Sequence, residues 1–315
     1  MAKVVLGVGA SHTTLMNTKW DVVDHLERAH DFRNALLKTQ EMVKEADPDV
    51  VVILGSNHFR GYWLDMMPSF CISVGEVDCA GEHGTPKGEQ LTNQPLAIDI
   101  CNSLMDSNFD MTFSTRLGVD HGISHAIQWV LGENKVPVVP IVINCFAPPL
   151  PKMDRCLDFA QALKKAIAEL PEDMKVAVIA TGGLSHQLPF PDWRKPESDN
   201  DDFLVDSWKN GRKDWTVYEK RRREIIVNSP PQLNEEWDRN FLSLMKQGKL
   251  NTLPTTIEDE QLTTVAGNGA NEVRAWMIMA AVLDNQPADI LCYSPMPEWL
   301  TGMAVATITP QPLNQ

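Results

Sequence analysis

Three histidines in this sequence each follow a short apolar run that ends in small residues. The runs are "VVLGVGASH", "VVVILGSNH" and "VAVIATGGLSH", and their histidines are His12, His58 and His186. Imidazole is the commonest metal ligand in proteins and the side chain that titrates closest to neutral pH. The pattern therefore predicts a metal site or acid–base chemistry, provided that the three residues meet in the fold.

A fourth segment, "LGVDHGISH", adds His121 and His125 after another short run, so five of the eight histidines share this feature. A single histidine at the end of a strand is more often structural than functional. Several buried together are costly unless a metal or a reaction uses them. The repetition favours one shared site.

Two acidic residues could complete such a site. Asp120 adjoins His121 and could orient it by a hydrogen bond or bind a metal itself. Glu272 opens an apolar helix after "AGNGAN", where the helix dipole favours an anion, although an ordinary first-turn glutamate fits equally well. Two imidazoles and one carboxylate suit non-haem Fe(II) working with dioxygen, and they also suit catalytic zinc. The spacing of the histidines along the sequence does not distinguish Fe(II) from zinc.

The elements that must position these residues alternate between strand and helix. Strands are predicted at Lys3–Gly9, "VVVILGSNH", "KVPVVPIVIN" and "KVAVIATGGLSH", and helices at "DFRNALLKTQEMVKEA", with Asp31 as a possible cap, and "CLDFAQALKKAIAEL". "PPQLNEEWDRNFLSLMKQGKL" and "NEVRAWMIMAAVL" predict helices near the C-terminus, after a loop at 190–203. We expect a single α/β domain over residues 1–315, with a mainly parallel or mixed central sheet flanked by helices and a helical C-terminal part.

This architecture explains why the positions of the histidines matter. In open parallel sheets, the loops that follow the carboxyl ends of neighbouring strands converge on one crevice. His12, His58 and His186 face one pocket if their three strands are neighbours.

Charge and cysteine usage restrict the partners and the compartment. The formal net charge of -14 opposes binding to nucleic acid or to an anionic membrane surface, and the basic segment "EKRRREII" is predicted to be a solvated helix face. Six scattered cysteines without a C-x-x-C pair indicate reduced thiols. With no signal peptide and no spanning segment apparent, the expected location is the cytoplasm.

Other chemistries lack their sequence signatures. The chain contains no H-E-x-x-H zinc helix, no G-x-G-x-x-G dinucleotide loop and no G-x-S-x-G nucleophile turn.

Taken in order, a set of motifs resembles one family along nearly the whole chain. The motifs are "SH" at 11–12, "NHF" at 57–59, "MPSFCISVG" at 67–75, "VDHG" at 119–122, "VPVVPIVIN" at 136–144, "GGLSHQLP" at 182–189, "W-D-x-x-F" at 237–241, "AG....E" at 266–272 and "PMPEW" at 295–299. Each one alone is weak, but together they resemble the class III extradiol ring-cleavage dioxygenases, the family of the catalytic subunit of protocatechuate 4,5-dioxygenase.

The resemblance implies a role for each candidate residue. His12, His58 and Glu272 would be the Fe(II) ligands, and His121 and His186 the catalytic acid–base pair. His125 matches no family position and is predicted to be structural.

The implied reaction is extradiol (meta) cleavage of a catechol by O2, with both oxygen atoms entering a muconic-semialdehyde-type product. The resemblance also implies a homo-oligomer. The expected substrate is a catechol with a substituent beside the diol, such as an aryl-alkanoate, and Arg60 is a candidate partner for its carboxylate.

Several alternatives stay open at this point. Gallate, methylgallate, aminophenol and hydroxypyridone substrates belong to the same class, and Mn(II) could replace Fe(II). A non-catalytic subunit on the same fold and a zinc hydrolase are competing functions.

Overall fold

Apolar, β-branched runs form the middle of the sheet, as their composition predicts. In the computed structural model, which describes residues 1–310, the strands are β1 (Lys3–Ala10), β2 (Val50–Ser56), β3 (Phe70–Ala80), β4 (Lys87–Glu89), β5 (Thr112–Val119), β6 (Val138–Ile143), β7 (Lys175–Thr181), β8 (Asp289–Met296) and β9 (Thr301–Ile308). All four predicted strands are present.

The strands form one mixed sheet with the order β4-β3-β6-β2-β7-β1-β9-β8, and β5 pairs with β3. The central strands β6, β2, β7 and β1 are parallel to one another. Antiparallel pairs, β3 with β6 and β1 with β9, extend the sheet on either side. The predicted α/β class and mixed sheet are confirmed, and the strands that precede His12, His186 and His58 are direct neighbours.

Helices cover both faces of this sheet. They are α1 (Thr14–Thr18), α2 (Leu26–Ala46), α3 (Gln94–Asp106), α4 (His121–His125), α5 (Met153–Ala168), α6 (Asp199–Asn210), α7 (Thr216–Val227), α8 (Glu235–Lys246), α9 (Leu253–Thr256), α10 (Asp259–Ala266) and α11 (Val273–Val282). Short helical turns lie at Glu82–Gly84, Ala126–Leu131, Leu250–Thr252, Asn268–Glu272 and Pro297–Trp299.

Side chains of β2 alternate between two apolar cores. Val52 and Leu54 pack with residues of α5 and α11 on one face, whereas Val51 and Ile53 pack with residues of α2 on the other. Each core buries apolar area that stabilises the fold by about 25 cal/mol per Å². The two packed faces hold the strand ends, and therefore the site, in a fixed position.

Two local predictions differ from the structure. Helix α2 begins at Leu26, so Asp31 lies inside it and caps nothing; the cause is that Ala29 continues the buried face of the helix one turn upstream of Phe32. The predicted loop at 190–203 ends early, because the Ser198 side chain accepts a hydrogen bond from the Asp201 amide and starts α6.

The C-terminal part contains the predicted helices α8 and α11, but strands β8 and β9 follow them and join the sheet beside β1. No helix within residues 1–310 combines the length and the apolar character needed to cross a bilayer.

Candidate metal centre and active site

The three histidines that follow β1, β2 and β7 meet at one end of the sheet. The His12 and His58 rings lie 5.4 Å apart between centroids, and both side chains are buried. His186 is also buried, and all three residues line the same pocket. The shared pocket predicted from their positions in the sequence is therefore present.

Glu272 lies among these rings. Its Oε1 atom is 3.4 Å from Nε2 of His12 and 3.5 Å from Nε2 of His58, and its Oε2 atom is 3.8 Å from Nε2 of His186. The side chain is only 1% exposed. The residue directly precedes α11, where the sequence places it at the start of an apolar helix.

Two groups besides the histidines hold the Glu272 carboxylate. The Ser56 hydroxyl donates to Oε1, and the Gly183 amide donates to Oε2 at 2.8 Å. Burial alone would raise the pKa of Glu272, but the attraction of His12 and its neighbouring imidazoles outweighs burial and holds that pKa far below its usual range. The carboxylate is therefore ionised, as a metal ligand must be.

The donor atoms fit a first-row divalent cation. Bonds of about 2.0–2.2 Å from nitrogen and carboxylate oxygen place neighbouring ligand atoms roughly 3.0–3.5 Å apart, which is the spacing of Glu272 Oε1 from the two Nε2 atoms. Within residues 1–310, Nε2 of His12 is buried and has no hydrogen-bond partner. A buried nitrogen of this kind is costly unless a ligand occupies it.

Other donor groupings lie close by. Ligand atoms of His12, His58 and His121 lie within 4.8 Å of one another, and so do those of Glu82, Asp120 and His121. The second grouping is already engaged in protein hydrogen bonds, because Glu82 binds the His121 ring and Asp120 binds backbone amides. The geometry therefore favours the set in which Glu272 faces both Nε2 atoms.

Hydrogen bonds at the far nitrogens orient the two candidate ligand rings. Nδ1 of His12 lies 2.7 Å from the Thr181 hydroxyl at the end of β7, so Nε2 points towards Glu272. Asp120 accepts a bond from the His58 amide at 2.5 Å and lies 3.4 Å from its Nδ1. Of its two possible roles, Asp120 therefore has that of an orienting residue, which fixes the ring and raises its basicity.

His186 occupies a narrow slot between two glycines. Its Nδ1 donates to the Leu184 carbonyl at 2.9 Å, which leaves an unprotonated Nε2 facing the pocket when the ring is neutral. Burial lowers the pKa of His186, so the neutral form is favoured. A Cβ atom on Gly269 would lie 2.1 Å from Nε2, and one on Gly183 would lie 2.7 Å from Cε1 of the ring. The slot requires glycine on both sides.

The loop that carries His186 is held by the segment "W-D-x-x-F" at 237–241. Asp238 of α8 accepts hydrogen bonds from the Ser185 amide at 2.7 Å and from its hydroxyl at 2.9 Å. Tyr293 of β8 donates to the same carboxylate at 2.7 Å. Burial raises the pKa of Asp238 to about 6, even though these donors oppose the shift.

The His121 ring stacks against the His58 ring, with the two centroids 3.9 Å apart. Glu82 accepts from both the His121 amide, at 2.9 Å, and its Nδ1, at 2.6 Å. This carboxylate fixes the proton on Nδ1 and leaves Nε2 for the pocket. Burial lowers the pKa of His121 well below its ordinary value, which makes its protonated form a strong proton donor.

His125 also lies close to the candidate centre. Its ring is fully enclosed, with its centroid 5.7 Å from that of His12 and 5.9 Å from that of His121. Neither ring nitrogen has a hydrogen-bond partner among the described residues, and burial lowers the pKa of the ring. His125 does not line the main pocket, which agrees with a packing role behind the candidate ligands.

The pocket is partly open to solvent. Its walls come from the site histidines, from Leu188 and Phe190 after β7, from Trp299 and Leu300 before β9, and from α7.

Helix α7 contains the basic segment predicted to be a solvated face, and that prediction is wrong for two of its arginines. Arg222 is buried and donates to the carbonyls of His58 and Phe59, and Arg223 is half-buried and lines the pocket. The reason is that α7 forms one wall of the pocket, so one side of the helix faces the loop after β2 rather than water.

Arg60, the candidate partner for a substrate carboxylate, is already engaged. It pairs with Glu219 and lies 3.5 Å from Glu82, and its guanidinium stacks 4.6 Å from the Trp215 ring. The sequence carried no signal for the role of Glu82. This residue lies in the turn Glu82–Gly84, 39 positions from His121, and only the folded chain brings its carboxylate to the His121 ring.

Comparison with known proteins places this site in a family. The family model described as "Catalytic LigB subunit of aromatic ring-opening dioxygenase" matches residues 7–304. A 2,3-dihydroxyphenylpropionate/2,3-dihydroxicinnamic acid 1,2-dioxygenase of Klebsiella pneumoniae subsp. pneumoniae is 29% identical over 317 residues, covering 95% of this chain and 96% of the relative. The enzyme with the same name from Escherichia coli O139:H28 is 30% identical over 308 residues, covering 93% of this chain and 94% of the relative.

A solved structure shares the fold. An uncharacterized protein of Escherichia coli K12 superimposes with a TM-score of 0.56 at 13% sequence identity, covering 96% of this chain and 99% of that chain. At this identity the likeness concerns the fold alone.

Proposed function

Because the chain belongs to the family of catalytic LigB subunits of aromatic ring-opening dioxygenases, and is therefore a ring-cleaving dioxygenase, we propose that it is an Fe(II) enzyme with His12, His58 and Glu272 as ligands. The observation that carries this assignment is the ionised Glu272 carboxylate 3.4–3.5 Å from the Nε2 atoms of both histidines. We take residues 1–315 as one catalytic domain, which the family match over 7–304 supports.

The choice of Fe(II) follows from the donor set and the reaction. Two imidazoles and one carboxylate that leave coordination positions open are the ligands of non-haem Fe(II) oxygenases. Zinc has no accessible redox chemistry, so it cannot pass electrons between a catechol and dioxygen. A bound Fe(II) supplies both this redox step and the Lewis acidity that lowers the pKa of a catechol hydroxyl.

His186 is the proposed general base. Its Nδ1 proton is held by the Leu184 carbonyl, so Nε2 carries a free lone pair directed into the pocket beside Glu272. A neutral imidazole in this position can accept a proton from a catechol hydroxyl as the diol binds.

His121 is the proposed general acid. Glu82 holds the Nδ1 proton of the neutral ring, so Nε2 must first accept a proton from the bound catechol and can then deliver that proton to the opening ring. The two histidines thus have different proton-transfer roles beside the candidate centre. Leu188, Phe190 and Ile226 line the pocket and limit the access of water to it.

The proposed substrate class is a catechol with an alkanoate substituent beside the diol, which is the kind of substrate named for the two relatives. The product is of the muconic-semialdehyde type. We further propose a cytoplasmic homo-oligomer; the free cysteines, five buried and one partly buried, suit a reducing compartment.

Metal reconstitution tests this function. Metal-depleted protein supplied with Fe(II) and ascorbate should consume O2 with 3-(2,3-dihydroxyphenyl)propanoate and form a yellow ring-fission product, whereas Zn(II) should restore no turnover. Equal O2 consumption and ring fission with Zn(II) would contradict the redox role assigned to Fe(II).

Single variants test the assigned roles. His12→Ala and Glu272→Ala should lose bound iron and turnover together, whereas His186→Ala should keep iron and lose about 10²- to 10⁴-fold in kcat. His30→Ala is the matched control, because that side chain is 54% exposed and lies outside the pocket. Full activity of His186→Ala would remove its role as the base.

A further inference from the structure

We infer that Arg223 is the specificity-determining residue that binds the anionic side chain of the substrate at the mouth of the pocket. The inference rests on the proposed function for the position of the catechol ring, and it names the group that selects a carboxylate-bearing substrate. Arg223 lies on α7, is half-buried and lines the pocket.

The hydrogen bonds of Arg223 go to neutral groups, and its charge is only partly compensated, by the more distant carboxylates of Glu219 and Glu82. Nη1 donates to the Thr14 hydroxyl at 2.8 Å and Nη2 donates to the Thr18 hydroxyl at 3.0 Å. Both acceptors are neutral, and these bonds use two of the five N–H groups of the guanidinium. Burial lowers the pKa of Arg223, yet arginine remains protonated at neutral pH.

The acidic residue with the best spacing for Arg223 is engaged elsewhere. Glu219 lies one turn upstream on α7, at the i, i+4 spacing that supports an ion pair on a helix. Its carboxylate instead pairs with Arg60 and lies 3.3 Å from Nε2 of His83. Among the described residues, Arg223 forms no ion pair within 4.0 Å.

The other two pocket arginines cannot take this role without losing partners. Arg60 pairs with Glu82 and Glu219, and both terminal nitrogens of the buried Arg222 donate to backbone carbonyls. Within the described chain, the Nε atom of each residue has no hydrogen-bond partner but is buried, so a substrate carboxylate cannot reach it. Of the three arginines in the described part of the pocket, Arg223 is thus the one whose side chain is neither ion-paired within 4.0 Å nor deeply buried, so an incoming anion can reach its remaining N–H groups.

Arg223 is positioned to bind a short acidic substituent on the substrate ring. Its partner Thr14 begins α1 two residues after the candidate ligand His12, and Thr14 lines the same pocket. A catechol bound beside His12 would therefore share this pocket with the Arg223 guanidinium. A carboxylate at its end would accept charge-assisted hydrogen bonds from a fork that Thr14 and Thr18 already orient.

Two ligands that differ mainly in charge test the inference. Anaerobic calorimetry on the Fe(II)-loaded protein would compare 3-(2,3-dihydroxyphenyl)propanoate with 3-propylcatechol. Arg223→Met should weaken binding of the propanoate about 10- to 100-fold, because a hydrogen bond to a charged group is lost, and should change binding of 3-propylcatechol by less than about 3-fold. Arg223→Gln is a second neutral variant that retains a donor for Thr14, and Arg223→Lys should retain part of the preference.

The matched control is Arg221→Met on the same helix. Arg221 is exposed and contacts Asn200 and the Phe203 ring, away from the pocket, so both affinities should stay as in the wild type. A parallel loss of affinity for both ligands in folded Arg223→Met and Arg223→Gln, or equal binding of both ligands by the wild type, would overturn the inference.

Turnover in air separates this inference from the proposed function. A protein that binds the propanoate through Arg223 but cleaves neither catechol would contradict the function and leave the anion site standing. A protein that cleaves both catechols with equal kcat/KM would support the function and contradict the anion site.

Discussion

Gly269→Ala tests whether the position of the His186 ring controls turnover. The new methyl carbon would lie 2.1 Å from Nε2 of His186, whereas an ordinary contact needs at least about 3.4 Å. The ring would have to move by more than about 1 Å, and Gly183 on its other side closes the slot against that movement. Misplacement of a reacting group by about 1 Å costs on the order of 10²-fold in rate.

We therefore expect Gly269→Ala to lower kcat by about 10²-fold or more while retaining bound iron, because the methyl group faces the base rather than the candidate ligands. The assay is the initial rate of ring-fission product formation at saturating catechol, with iron content measured on the same sample. Overpacking should also lower the free energy of unfolding by about 1–3 kcal/mol, which thermal unfolding would measure.

Gly118→Ala is the matched control. A Cβ at Gly118 would meet nothing closer than 4.0 Å, and the residue lies on the exposed edge of β5. It should keep the rate and the iron of the wild type. If Gly269→Ala folds, binds iron and turns over at the wild-type rate, the position of His186 is not what sets catalysis and the role assigned to it is wrong.

Two further predictions concern the residues behind the catalytic histidines. Glu82→Gln should lower kcat about 10- to 100-fold with unchanged iron content, because the amide no longer fixes the His121 Nδ1 proton as a carboxylate does; an unchanged rate would count against that role. Asp238 has a folded-state pKa raised to about 6 from an ordinary value of 3.8, so its contribution to stability is present below about pH 4 and is lost as the pH rises to about 6. Between pH 4 and pH 7 the wild type should lose on the order of 1–3 kcal/mol more unfolding free energy than Asp238→Asn in denaturant titrations, and identical pH profiles would refute this.

The histidines that follow the strand ends are the part of the site that could be predicted from the sequence. Buried strands have continuous apolar runs, and chain topology brings their carboxyl ends together, so His12, His58 and His186 could be placed in one pocket before any coordinates. The choice of Glu272 as the acidic member needed the family resemblance, since its position at a helix start fitted an ordinary glutamate equally well. The structure supports that choice by placing its carboxylate between two Nε2 atoms.

The groups that sequence reasoning missed depend on contacts between distant segments. Glu82 reaches His121 across 39 positions, and Asp238 holds Ser185 across 53. Local pattern carries no information about such pairings. For the same reason "EKRRREII" was predicted to be solvated: its composition is that of an exposed helix, and only the packing of α7 over the pocket buries Arg222.

Anomalous diffraction at the iron edge, from crystals of the Fe(II)-loaded protein, tests the central claim most directly. The account predicts one strong peak at bonding distance from Nε2 of His12, Nε2 of His58 and the Glu272 carboxylate. A peak held instead by Glu82, Asp120 and His121, or the absence of any peak in protein that cleaves catechols, would contradict it.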